Sequence, residues 1–124
     1  MPTTIGSSGT IAVPGTIVEG TRNPFDLRRR YHGRASHADD YSTLTGELFF
    51  VHTDGGRWVL RYAPIHQEDR FGGSVILTRD ANLGASKEGD LVSVRGEILS
   101  EKNDIHLGGA IFRANLIEVV EKGD

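Results

Sequence analysis

The chain has 124 residues, a length that suits one domain with one hydrophobic core. Hydrophobic residues make up 37% and charged residues 25% of it, which is the composition of a folded protein rather than of a disordered one. The net charge of -3 provides no overall positive field for nucleic acid, and the absence of cysteine excludes disulfides, thiolate metal sites and cysteine nucleophiles.

Charge is distributed unevenly along the chain. Residues 1–43 contain five basic and four acidic residues, whereas residues 44–124 contain nine basic and thirteen acidic ones. No apolar run is long enough to span a membrane, and the first residues lack the pattern of an export signal. We therefore expect no membrane partner and a cytoplasmic location.

The first third of the chain is predicted to be an N-terminal extension, residues 1–42, that is flexible or partly ordered. Residues 1–20 are rich in Gly, Ser, Thr and Pro, which is the composition of a flexible leader. Further along, Phe25, Leu27 and Tyr31 are candidates for anchoring a short helix onto the rest of the protein.

From residue 43 onward the pattern changes to short strands. Residues 43–53 alternate between two faces and predict a long first strand, in which Gly46 marks a bulge or a sharp bend. The turn at 54–56, Asp-Gly-Gly, predicts a hairpin because these residues tolerate positive φ angles. Residues 57–63 then predict the second strand.

Three further strands are predicted at residues 74–79, 91–99 and 110–121. Residues 80–90, which precede the fourth strand, predict a short helical segment of one or two turns at most. In the last strand the alternation of apolar residues slips near 115–117, which predicts a β-bulge there.

This order of elements resembles the oligonucleotide/oligosaccharide-binding (OB) fold. Residues 44–48 resemble its glycine-kinked first strand, residues 87–98 its fourth strand, and residues 111–120 its closing strand. The chain is similar to small bacterial OB-type proteins of uncharacterised function. The resemblance implies an all-β fold: a five-stranded Greek-key barrel over residues 43–121, with the helical segment between strands three and four and a tail at 122–124.

The resemblance implies a binding module and leaves its ligand open, since OB domains bind single-stranded nucleic acids, oligosaccharides and other proteins. Single-stranded DNA or RNA is one candidate. A protein partner on the barrel face, on a free strand edge or on the N-terminal segment is another, and an oligosaccharide is the third. The sequence lacks the nucleophile elbow, the phosphate loop and the dinucleotide fingerprint, so we predict no enzyme activity and no cofactor.

Aromatic and arginine side chains cluster on and beside the second and third strands, where OB folds bind ligands. Proteins that bind single strands stack bases on exposed rings next to basic side chains. The predicted ligand-binding residues are Arg57, Trp58, Arg61, Tyr62, Arg70, Phe71 and Arg79. The alternative is that Trp58 and Tyr62 point inward with Leu60, because large aromatic residues dominate small cores. Arg61 then lies outside without them.

A second basic cluster lies in the extension and is a candidate auxiliary arm. Its members are Arg28, Arg29, Arg30, Tyr31 and Arg34. Such an arm neutralises phosphates with an affinity that depends on salt, and Tyr31 offers a ring for stacking. The alternative is a solvated linker, or arginines that pair with the excess acid of the barrel itself. The histidines have no metal-ligand spacing, so we predict no metal site.

Overall fold

The computed structural model describes residues 26–52, 55–101 and 109–123. In these ranges the chain forms a 3₁₀ helix at Arg29–Tyr31 and six strands. The strands are β1 (Ser36–His37), β2 (Thr43–Val51), β3 (Arg57–Arg61), β4 (Ser74–Leu77), β5 (Leu91–Ser100) and β6 (Ala110–Glu121). Over the same ranges, no helix has the length and apolar character needed to cross a membrane.

Strands β2 to β6 close into a barrel. The order around it is β2-β3-β4-β6-β5, and β5 pairs with β2 to complete the circle. Only β4 and β6 run parallel; the other pairs are antiparallel. The predicted all-β fold and five-stranded barrel are thus confirmed, and the topology is compatible with an OB-like fold. The short strand β1 adds to β2, with Ser36 opposite Thr45, and the sequence did not predict it.

The two-residue alternation of the strands builds the core. Leu48 lies opposite Leu60, and Leu60 lies opposite Val75. All three side chains are 0% exposed and belong to one cluster that also contains Phe112. Because burying one such aliphatic side chain stabilises the fold by about 1.5–3 kcal/mol, this inner layer determines the register of the barrel.

Two irregularities in the strands agree with the sequence. A side chain at Gly46 would collide with the backbone of Arg61, because β2 passes directly over the end of β3. The register continues without a shift there, so the glycine allows a close approach of the two strands and does not mark a bulge. In β6, Leu116 lies opposite Arg95 and Ala114 opposite Gly96, which leaves Asn115 as an extra residue. The bulge predicted near this position is confirmed.

The short helical segment predicted between the third and fourth strands is wrong. Residues 78–90 connect β4 to β5 through turns, for example one in which the Ser86 N–H donates to Leu83 O at 2.9 Å. Gly84 and Gly89 have φ angles of 57° and 93°. A right-handed helix does not use this left-handed region, so the glycines divide the segment into separate turns.

The described part of the extension, residues 26–42, packs onto the barrel. Leu27 and Tyr31 are buried together with Leu91, and the Tyr31 hydroxyl donates to Gly89 O at 2.9 Å. These two residues serve as the predicted anchors, whereas Phe25 lies outside the described residues. The boundary predicted at residue 42 stays a prediction.

Candidate ligand-binding cleft

The seven predicted ligand-binding residues lie in two places on the barrel. One end of the barrel brings together Arg57, Trp58 and Arg79. The loop at residues 64–73 and the end of β3 bring together Arg61, Tyr62, Arg70 and Phe71. Between them, on the face of β3 opposite the core, Val59 lies between Phe49 and Ile76, which are 6% and 1% exposed. The seven residues therefore form two groups, one near each end of β3.

A cleft of about 190 Å³ opens at the first of these places, and we call it the mouth cleft. Its lining residues are Phe50, Gly56, Arg57, Trp58, Leu77, Thr78 and Arg79. The hairpin turn forms its edge: Gly55 and Gly56 have φ angles of 81° and 95°, as the hairpin signal predicts. A Cβ atom on Gly56 would lie 2.5 Å from the Phe50 ring, so only glycine allows the turn to pack directly on that ring.

Two aromatic rings form the apolar part of the mouth cleft. Phe50 and Trp58 lie opposite each other on β2 and β3, with ring centroids 5.0 Å apart and an angle of 60° between the rings. His52 contacts the edge of Phe50 at 4.9 Å. Trp58 is half-buried and packs against the same core cluster as Leu60 and Tyr62. It therefore points inward, as the alternative for Trp58 and Tyr62 stated, and still lines the cleft.

The polar part of the mouth cleft consists of two guanidinium groups that backbone carbonyls hold in position. Arg79 Nη1 donates to Gly56 O at 3.2 Å, and Arg57 Nη2 donates to Leu77 O at 3.4 Å. A carboxylate lies close by, because Asp80 accepts a hydrogen bond from the Thr78 hydroxyl at 2.6 Å. This hydrogen bond lowers the pKa of Asp80, which keeps its carboxylate negatively charged beside Thr78.

The second place is organised by a buried carboxylate. The Asp69 side chain is 2% exposed and accepts hydrogen bonds from the Tyr62 hydroxyl and from the Tyr41 hydroxyl at 3.0 Å. The backbone N–H groups of Phe71 and Gly73 donate to it at 2.9 and 3.2 Å. Burial alone would raise the pKa of Asp69, but these hydrogen bonds outweigh burial and lower it. We call Asp69, its four donors and the adjacent His37 the Asp69 cluster.

The predicted residues at this place are used within the fold. Tyr62 is 1% exposed, so its ring presents no free face to a base. The half-buried Phe71 contacts Tyr41 edge-on at 4.8 Å, and the Arg70 guanidinium lies over the Phe71 ring at 5.1 Å. Arg70 also pairs with Glu101 at 2.8 Å.

Arg61 also serves the fold at this place. Its guanidinium donates to Ala63 O at 2.9 Å, and burial lowers its pKa. The four predicted residues near the loop thus hold it in place in this conformation. A role for them in binding stays a prediction.

The predicted auxiliary arm lies against acidic groups of the barrel. The backbone N–H and Nε of Arg28 donate to the buried Glu47 at 3.0 and 3.2 Å. Arg30 pairs with Glu121 at 3.2 Å, and Arg34 pairs with the same carboxylate. These contacts agree with the alternative of intramolecular pairing.

Two members of the arm differ in exposure. Tyr31 is 0% exposed, so its ring is closed to a ligand in this conformation, whereas Arg29 is exposed. Phosphate binding by the arm stays a prediction.

Several residues that organise these sites do not belong to the set predicted from the sequence. Phe50 had a signal, because a hairpin symmetric about residue 54, the first residue of the predicted turn, places residue 50 opposite residue 58. His37, Tyr41 and Asp69 had none, since they meet only when β1 packs beside the loop that follows β3.

Comparison with known proteins leaves the assignment to geometry. Over residues 26–52, 55–101 and 109–123, no group of three or more His, Cys, Asp or Glu side chains is arranged to hold a metal ion. No family model matches the chain, and neither a curated protein nor a solved structure matches it.

Proposed function

We propose that this chain is a non-enzymatic binding module of the OB superfamily that holds single-stranded nucleic acid at the mouth cleft. One observation supports this most directly: two aromatic rings and two guanidinium groups line the same opening. Stacking on aromatic faces, with cations beside them for the phosphates, is how single strands are bound without sequence preference. The strand order of the barrel supports the superfamily assignment.

The size of the cleft favours a polymer over a whole small molecule. Sites for small molecules occupy about 300–1,000 Å³. The mouth cleft, at about 190 Å³, is smaller, and suits one ring of a longer ligand. A single strand that places one base beside Phe50 and Trp58 fits this limit, with the rest of the strand outside the cleft.

The charges predict a weak and salt-dependent interaction. Each phosphate that Arg57 or Arg79 contacts in the bound strand should add about -0.7 to the slope of the logarithm of the association constant against the logarithm of salt concentration, so two such contacts give about -1.4. The net charge of -3 works against longer contacts on the rest of the barrel.

A protein partner is the second candidate function. Leu99, Leu116 and Val120 on β5 and β6 are 44%, 47% and 47% exposed, which makes them three of the four exposed large hydrophobic residues in the described ranges. Leu116 lies opposite Arg95, so Leu99 and Val120 are each four residues away along the strands, and the three side chains offer a protein partner separate apolar contacts. An oligosaccharide is the third candidate. It would stack on the aromatic faces without phosphate contacts, so its binding at the mouth cleft should be insensitive to salt.

Fluorescence anisotropy of short labelled DNA and RNA single strands, at low and at physiological salt, tests the nucleic-acid proposal. We expect saturable binding that weakens with salt and that falls about three- to tenfold in Arg79→Ala, because one phosphate contact is lost. Arg95→Ala is the matched control. Arg95 is exposed on β5 opposite Thr43, which lies seven residues before Phe50 on β2. At about 3.3 Å per residue, this places it about 23 Å from the cleft.

The pattern of results separates the candidates. Equal losses in the two arginine variants mean non-specific attraction by charge, and absence of binding at low salt removes the nucleic-acid proposal. Binding of an oligosaccharide series that quenches Trp58, the only tryptophan, without salt dependence favours the sugar ligand instead.

A further inference from the structure

His37 joins β1 to the loop at residues 64–73. Its Nε2 atom lies 3.5 Å from Oδ1 of Asp69, and its Nδ1 atom lies 2.8 Å from Ala38 O. The ring stacks on Tyr41, with centroids 4.2 Å apart and an angle of 7° between the planes. Tyr41 has a φ angle of 60°, in the left-handed region that a tyrosine keeps only where its surroundings hold it. A small set of contacts thus holds an unfavourable backbone conformation.

Both ring nitrogens of His37 face oxygen atoms. A neutral imidazole has one N–H donor, whereas both ring nitrogens here face oxygen atoms that only accept hydrogen bonds. Only the imidazolium can donate to Ala38 O and to Asp69 at the same time. In the neutral form, one nitrogen lone pair faces an oxygen lone pair.

The other groups around His37 keep their charge near neutral pH. Asp69 has a lowered pKa and stays ionised, while burial, reinforced by hydrogen bonds to Asp69, raises the pKa values of Tyr41 and Tyr62 and keeps them neutral. Arg61 and Arg70, the nearby cations, stay protonated because guanidinium groups do so throughout this range. Histidine is the side chain that changes charge between mildly acidic and neutral conditions.

We propose that His37 and Asp69 form a protonation-dependent clasp that holds the loop at residues 64–73 against β1. The clasp is closed when the imidazole is protonated and loosens as rising pH removes the proton. Loosening weakens the stack on Tyr41 and one of the contacts to Asp69. The other end of the loop stays tied, because the Ile65 N–H donates to Asp26 at 2.8 Å. The mouth cleft contains no residue of this loop, so the clasp does not rest on the proposed function.

Hydrogen exchange of the Phe71 and Gly73 amides tests the clasp, because both amides donate to Asp69. Their protection factors, corrected for the intrinsic effect of pH on exchange, should fall up to about fivefold as the pH rises through the titration of His37. The titration of the His37 ring, followed by NMR in the same samples, gives the midpoint at which this fall should occur.

Variants at two histidines make the test specific. His37→Gln keeps an N–H donor but cannot be charged, so the pH dependence of the two amides should disappear. His66→Gln is the matched control, since His66 is exposed on the same loop, and it should leave the pH dependence unchanged. Flat protection in the wild-type protein overturns the clasp, even where His37→Gln fails to fold. Loss of the effect in His66→Gln assigns it to His66 and also overturns the clasp.

Discussion

The mouth cleft and the Asp69 cluster are built from the same types of residue, yet they differ in how their polar groups are satisfied. In the mouth cleft, Arg57 and Arg79 donate to backbone carbonyls, and an open volume of about 190 Å³ remains beside the aromatic rings. In the Asp69 cluster, two tyrosine hydroxyls and two amides converge on one buried carboxylate. Aromatic and arginine side chains thus form a candidate surface where a cleft stays open beside them, and they support the fold where they surround a buried carboxylate.

The described part of the N-terminal extension, residues 26–42, is a third region in which arginines meet a carboxylate of the fold. Glu47 is 1% exposed and accepts a hydrogen bond from Arg28, which lies 19 residues earlier in the chain. A cluster that resembles a phosphate-binding arm in sequence is therefore held against the barrel by a buried acid. Breaking such a buried pair by removing one partner is expensive, because the other charge stays buried.

The largest expected effect comes from removing the carboxylate that defines the Asp69 cluster. Asp69→Ala should lower the free energy of unfolding by about 3–5 kcal/mol, because four donors lose their acceptor in a buried site. Urea unfolding measures this change. The neighbouring Glu68→Ala removes an equal charge from an exposed position and should change stability by no more than about 0.5 kcal/mol. Similar changes in the free energy of unfolding for the two variants would mean that the hydrogen bonds to Asp69 do not stabilise the fold.

A smaller effect should follow from acid. Asp69 and Asp90 both have lowered pKa values because hydrogen bonds to them outweigh burial. A carboxyl group with a lowered folded-state pKa stabilises the protein above its unfolded pKa, and this stability is lost as pH falls through the folded-state value. We expect the unfolding free energy to decline by about 1–3 kcal/mol below about pH 4. Urea titrations across this range should show a shallower decline in Asp69→Asn, and an unchanged slope would assign the effect to other carboxyls.

The sequence predicted those features of the fold that depend on local patterns. Alternation of apolar residues located the five barrel strands, and the slip in the last one located the bulge at Asn115. Two features have no local pattern. The two residues of β1 are too few to show a period, and the positive φ angles of Gly84 and Gly89 divide a segment whose composition allows a helical turn. The helical segment was therefore predicted where turns occur.

The candidate site was harder to predict than the fold, because its residues come from different strands and loops that meet only when the barrel closes. Trp58 and Tyr62 lie four residues apart in the same alternating pattern of inward-facing residues, and both point inward. Trp58 lines the opening at the end of the barrel. Tyr62 instead donates to Asp69, which lies seven residues later in the chain, on the loop that follows β3. Sequence alone cannot tell these two environments apart, since the turn geometry of the loop decides which ring is covered.

The smallest expected effects come from replacing one phenylalanine of the mouth cleft and one that packs beside the Asp69 cluster. Phe50→Leu replaces a ring of the mouth cleft and should weaken single-strand binding by about fivefold, near the lower limit of the roughly 1–3 kcal/mol that stacking contributes for each base. Phe71→Leu removes the edge contact with Tyr41 and should cost about 1 kcal/mol of stability while leaving affinity unchanged. Anisotropy titrations and urea midpoints on both variants separate the two outcomes. Equal losses of affinity would place the loop within the binding surface, and the distinction between a ligand-binding cleft and a structural cluster would then no longer hold.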